Sequence, residues 1–157
     1  MSLVELLTAV AIVGILAGTS INASLRPLAH QQLLAAARQL ELGIEQARDQ
    51  AMDQQVPCAL ALGEAGWIAP PGGHLPGCRH AVRPLLAGDR GAGLQLSHNI
   101  SELQFTTNGL VLGGGTVRLA VNGLAQERCV VISLPLGITR QGLWNEGQCL
   151  PAENANS

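Results

Sequence analysis

The sequence predicts an α+β protein: one long N-terminal helix, apolar in its first half and amphipathic in its second, packed on an antiparallel β-sheet domain. Three observations predict it. Residues 1–25 carry a single charged side chain, Glu5. From Leu33 to Ala51, apolar residues recur every three or four positions. Beyond Pro57 the period shortens toward two, broken by glycine and proline turns, with no strand–helix–strand rhythm that would build a parallel sheet.

The apolar run from Leu3 to Leu25 is long enough to cross a bilayer core, which takes about 20 helical residues. Arg26 closes it with a charge. No Lys or Arg precedes it, so it does not read as a secretory signal. Gly14 and Gly18 are expected weak points in the first half, and they also suit close helix packing in a membrane. Pro27 lacks an amide donor and is expected to kink the helix where the second half begins.

That second half is written by spacing. Leu33, Ala37, Leu40, Ile44, Ala47 and Ala51 form one stripe, while Arg38, Glu41, Glu45, Arg48, Asp49 and Asp53 fall largely off it. Ala, Leu, Gln, Glu and Arg dominate Gln31 to Gln54, and all are good helix formers. Gln55-Val56-Pro57 ends the helix.

Strand-like patterns follow. Val56 to Leu62 and Gly66 to Ala69 read as a hairpin, and Pro70 to Gly77 as a loop. Arg79 to Leu86 and Ile100 to Phe105 are strand candidates, with turns at Asp89–Gly93 and Thr107–Gly109. Thr116 to Val121 alternates, Asn122-Gly123 is turn chemistry, and Glu127 to Ser133 returns. Ile138 to Gln141 adds a last short strand. With Trp67, Trp144 and Phe105 as the only aromatic residues, the core is expected to be aliphatic. The resulting division is 1–27 membrane helix, 28–55 amphipathic half, 56–150 globular β domain and 151–157 flexible tail.

Cys58, Cys78, Cys129 and Cys149 all follow the apolar helix. An even count in a small, loop-rich exported domain reads as disulfides. Three connectivities are open. The local pairs Cys58–Cys78 and Cys129–Cys149 are preferred, because each closes a loop of about 20 residues, a stabilisation of roughly 3 kcal/mol in the chain-entropy model. The alternative is a zinc site of Cys58, His74, Cys78 and His80, but no CxxC pair supports it.

The net charge of −2 predicts no general attraction to nucleic acid. His30, His74, His80 and His98 stand in no GxSxG or HExxH string, so neither an enzyme nor a cofactor is expected. A membrane-anchored periplasmic enzyme or binding module is the contrasting class.

The informative string is Met1-Ser2-Leu3-Val4-Glu5-Leu6-Leu7. A carboxylate inside an apolar helix is costly unless protonated or paired. In an array of such helices the nearest cation is a neighbour's terminal amine, so Glu5 would set the register between subunits. The string resembles the start of a mature type IV pilin or pseudopilin, with Met1 where that family usually has Phe. The resemblance implies a type IV pilin fold, cleavage by a prepilin peptidase just before Met1, and methylation of the Met1 amine. It also implies a single-pass inner-membrane protein with a periplasmic head before assembly, and other pilins or pseudopilins as partners in a filament.

Leu103-Gln104-Phe105-Thr106-Thr107-Asn108-Gly109, Gly113-Gly114-Gly115, Thr116-Val117-Arg118-Leu119, Cys129-Val130-Val131-Ile132-Ser133 and Gly137-Ile138-Thr139-Arg140 are similar to the GspH/FimT group. These are minor pilins of type IV pili and minor pseudopilins of type II secretion. The resemblance implies a minor, tip-proximal subunit that helps initiate or cap a pilus, with the secretion pseudopilus as the alternative. Some members bind DNA for uptake through Gly-Arg-x-Arg. Here Gly137 and Arg140 match, and Ile138 replaces the first arginine. Arg79 and Arg83 would join Arg140 in a DNA contact if the fold brought them together. The stretch 64–99 lies outside the resemblance.

Overall fold

The computed structural model describes residues 4–8, 10–13, 25–85 and 93–151. Residues 4–8 and 10–13 are helical, and Val4, Leu6, Leu7, Val10, Ile12 and Val13 are exposed. Among the described residues no helix is long and apolar enough to cross a membrane. The expected span falls largely on residues 14–24, which lie outside the described residues, as do Met1, most of the Asp89–Gly93 turn and the tail from 152.

Helix α1 runs from Leu25 to Gln54. Its predicted stripe is its buried face: Leu33, Ala37, Leu40, Ile44, Ala47 and Ala51 are all at most 1% exposed, and Ala36 joins them. Four alanines on that face let strands approach the helix axis closely. Gln55 takes a left-handed conformation, with φ of 52°, and its amide donates to the Met52 carbonyl at 3.4 Å. Pro57 then bars any continuation.

Nine strands follow among the described residues: β1 (Cys58–Gly63), β2 (Gly66–Ile68), β3 (Leu94–His98), β4 (Leu103–Phe105), β5 (Val111–Leu112), β6 (Gly115–Val121), β7 (Arg128–Ser133), β8 (Ile138–Asn145) and β9 (Gln148–Pro151). They form two antiparallel sheets, ordered β2-β1-β4-β5 and β3-β6-β7-β8-β9. Both lean on α1. In the larger sheet Val117 pairs with Val130, and Leu96 with Leu119, so these residues share the helix-facing side. Arg118, Cys129, Arg140, Gly142 and Trp144 alternate to the outer face.

Several expectations need correction. Arg79 to Leu85 is not a strand: it forms turns and a single bridge from Pro84 to Gly66, held by the Leu85 amide donating to the Ala65 carbonyl at 2.9 Å. Pro84 has no amide to extend a ladder. The Ile100–Phe105 strand shortens to β4. The last strand is longer than Ile138–Gln141 and turns back as β9 through Glu146 and Gly147, both at positive φ. β3 was not expected, although Leu94 and Leu96 alternate with polar neighbours. The core is not purely aliphatic, since Trp67 and Phe105 are among its largest buried side chains.

Candidate functional site

Glu5 lies in the helical segment 4–8 with its side chain exposed, and the Thr8 hydroxyl donates to its backbone carbonyl at 2.9 Å. Met1, the partner expected for Glu5 in a neighbouring subunit, is outside the described residues.

The cysteines join as Cys58–Cys78 and Cys129–Cys149, with Cα separations of 5.1 and 5.8 Å. The first bond is buried and ties β1 to the loop that follows the prolines; the Ala59 amide donates to Pro76 and the Cys78 amide to Ala59. The second crosses the outer face from β7 to β9, over Gly142 of β8. A Cβ at Gly142 would stand 3.0 Å from Cys149 Sγ and 2.3 Å from the Leu150 carbonyl oxygen, so the position has no room for a side chain. With all four cysteines in disulfides, none is left to hold zinc. Among the described residues no group of three or more His, Cys, Asp or Glu is arranged to bind a metal.

Arg140 is exposed on the outer face, opposite Val131, in a shallow cleft of about 300 Å³ whose walls include Gly142, Cys149, Leu150 and Pro151. Arg79 and Arg83 are exposed in the turns after Cys78, on the side of the smaller sheet. Arg140 shares its cleft with neither. Arg83 and His80 instead line a cleft with Asp49 and Asp53 of α1, two carboxylates that offset the arginine charge. Gly137 has a packing reason to be glycine: its φ is 61°, and a Cβ there would meet Val111 Cγ2 at 2.4 Å.

The outer face also holds a pair that the sequence did not single out. Arg118 on β6 forks onto Glu127, with Nη2 to Oε1 at 2.6 Å and Nε to Oε2, and its guanidinium lies 5.7 Å from the Trp144 ring centroid. The hydrogen bond from Arg118 holds the Glu127 carboxyl below its ordinary pKa, and the same bond raises that of Arg118. On the inner side, burial pushes the Arg128 guanidinium below its ordinary value. Arg48 buries Nε and Nη2 with no hydrogen-bond acceptor among the described residues. Its position four residues after Ile44 was the available signal, because that spacing sets it at the edge of the buried stripe.

The histidines do not converge. His98 Nδ1 lies 2.9 Å from the Ile100 carbonyl, the His80 amide is held by the Gln50 side chain, and His74 is exposed in the loop.

A family model described as type II transport protein GspH matches residues 36–136, from the buried half of α1 to the loop before β8. No curated protein and no solved structure matches the chain.

Proposed function

This chain belongs to the GspH family of pilin-like subunits, and from that premise we propose that it is a minor pilin of a type IV pilus that helps initiate or cap the filament. The match over residues 36–136, more than half of the chain, on a fold of one helix against antiparallel sheets, supports a pilin-like filament subunit, and the lean toward a pilus comes from the two disulfides and the half-kept Gly137–Arg140 motif. Family members are structural subunits that assemble with other pilins or pseudopilins, not enzymes. In this reading residues 1–27 are stored in the inner membrane as a helix and become filament core on assembly. Glu5 then meets the methylated Met1 amine of a neighbour, because a carboxylate among packed apolar helices is stabilised by a nearby cation. A prepilin peptidase prepares the Met1 end.

The test is incorporation. Glu5→Ala in the full chain should leave membrane insertion and both disulfides intact and remove the subunit from sheared filaments. Wild-type levels of the variant in filaments would overturn the register role.

A second reading has its own support. The matching family is described by type II transport, which favours a pseudopilus. Deleting the gene separates the two: loss of surface pili with normal secretion supports the first, and the reverse supports the second. A contribution to DNA uptake would use Arg140, with Arg79 and Arg83, which line other clefts, as the further candidate contacts. If it operates, Arg140→Ala in the detergent-solubilised chain should weaken DNA retardation and lower the salt slope by about one.

A further inference from the structure

Two Asn-Gly pairs stand on turns, Asn108-Gly109 after β4 and Asn122-Gly123 after β6, and both asparagines are exposed. In such a pair the glycine amide nitrogen can reach the asparagine Cγ by closing a five-membered ring, and the missing Cβ on glycine leaves that approach unhindered. Asparagine is a thermolabile residue for this reason. The two pairs read alike in the sequence, and the structure separates them.

The first pair is closed. The Gly109 amide donates to the Thr106 carbonyl at 3.0 Å, so its nitrogen is engaged. Three more bonds cross the turn: the Thr106 amide and hydroxyl donate to the Leu110 carbonyl at 2.9 and 3.2 Å, and the Leu110 amide donates to the Thr106 hydroxyl at 3.0 Å. Gly109 also rests on α1, where a Cβ would stand 2.7 Å from Met52 Sδ. Freeing the Gly109 amide therefore requires the whole turn to open.

The second pair is open. The Leu124 amide donates to the Val121 carbonyl at 3.1 Å and Gly123 has a φ of 84°, the pattern of a type II turn. Among the described residues nothing accepts a hydrogen bond from the Gly123 amide, and a Cβ at Gly123 would meet nothing within 4 Å. The Asn122 side chain is held through its oxygen, to which Gln95 Nε2 donates at 3.1 Å. A donor on that oxygen draws electrons from Cγ and steadies the charge that attack would place there. The bond does not involve Nδ2, the leaving group.

We propose that Asn122 is a site of spontaneous deamidation in the folded chain, with water as the co-reactant. The Gly123 amide nitrogen loses its proton and attacks Asn122 Cγ. The new N–Cγ bond closes a succinimide ring, the Cγ–Nδ2 bond breaks, and Nδ2 takes up a proton and leaves as ammonia. Water then opens the ring at either of its carbonyls. One opening leaves aspartate at position 122 and the other isoaspartate, each with a new carboxylate, and nothing is oxidised or reduced. Isoaspartate carries the backbone through the side-chain carbons and widens the turn. That strains the Leu124–Val121 bond and the ties to β3, which are the Gln95 bond and the Asn122 amide donating to the Gly93 carbonyl at 3.0 Å. The chemistry needs only the folded head and water, so it stands apart from the filament reading.

The experiment holds the full chain in detergent at physiological temperature and mildly alkaline pH for several weeks. Peptide mapping by mass spectrometry follows both asparagines in the same sample, and an isoaspartyl methyltransferase labels the isoaspartate formed. Asn122 should convert at least about fivefold faster than Asn108, the factor by which an engaged amide bond holds the other pair back. In urea with both disulfides reduced the two rates should become alike, because both turns are gone. Native isoelectric focusing should show an acidic form that accumulates in the wild type and not in Asn122→Gln. Conversion of Asn108 as fast as Asn122 in the folded chain overturns the proposal, as does an intact Asn122. A rate ratio that persists in urea also overturns it, since the preference would then lie in the flanking residues and not in the fold. So does an acidic form that accumulates equally in Asn122→Gln.

Discussion

Trp67 sets the Cδ1–Nε1 edge of its indole against the bare backbone of Gly43. A Cβ at Gly43 would stand 2.3 Å from Trp67 Cδ1, and the indole Nε1–H donates to the Leu40 carbonyl at 3.0 Å, one turn earlier on the same helix. The contact locks β2 to α1 with a large apolar side chain whose one polar atom is satisfied.

Gly43→Ala should therefore destabilise the head even though alanine favours helix. Overpacking against an indole that cannot retreat costs about 1–3 kcal/mol. Trp67→Phe in the wild-type background should lose about 1 kcal/mol through the missing hydrogen bond, plus a packing loss. Thermal and urea denaturation measure both. A Gly43→Ala variant as stable as wild type would show that the indole can move.

The two disulfides should differ in access. Cys58 and Cys78 are 2% and 0% exposed, while Cys149 is only half-buried. Mild reductant with the chain folded should open Cys129–Cys149 first, as read by alkylation and peptide mapping. Replacing Cys58 and Cys78 together should cost about 2–4 kcal/mol.

Gly142→Ala should act on the same bond from below. The new methyl would press on the Leu150 carbonyl and Cys149 Sγ, and β9 would have to shift outward. Alkylation of Cys149 under mild reductant should speed up, with Cys58–Cys78 unaffected.

Acid should weaken the outer face through Glu127. Its folded pKa lies below the unfolded value, so its contribution is complete above the ordinary glutamate value of about 4.3 and is lost as pH falls through the folded value. Arg118 stays charged throughout, because its own pKa is raised. The stability gap between wild type and Glu127→Gln should be present at pH 7 and close below about pH 4. A gap that stayed constant with pH would assign the pair no role in acid sensitivity. The pair is partly exposed, so salt should narrow the gap as well.

Much of the fold was legible because its signals are local. The stripe from Leu33 to Ala51 reports burial directly, since neighbours three and four apart must share a helix face. Asn108-Gly109 and Asn122-Gly123 announced turns, and Gly109 and Gly123 both adopt positive φ. The Arg79–Leu86 reading failed for a local reason with a distant cause. Half of its residues are apolar, but the Cys58–Cys78 bond and the bridge to Gly66 hold the backbone there in turns.

The site was legible only in part. Glu5 stands out because a charge in an apolar run needs a reason. Arg140 stands out through its spacing from Gly137. That Arg79 and Arg83 line other clefts could not be read from spacing, because the separation depends on how two sheets share one helix.

The sequence by itself determined an amphipathic helix, an antiparallel β domain and four cysteines suited to local bridges. Each follows from periodicity or from chain neighbours. Only the tertiary structure decided that Trp67 would rest on Gly43 and that Gly142 would lie under a disulfide. It alone decided that Arg48 would reach the turns at Gly109 and Gly137. Those relationships join residues tens of positions apart, and no repeat along the chain encodes which distant side chain fills a given space.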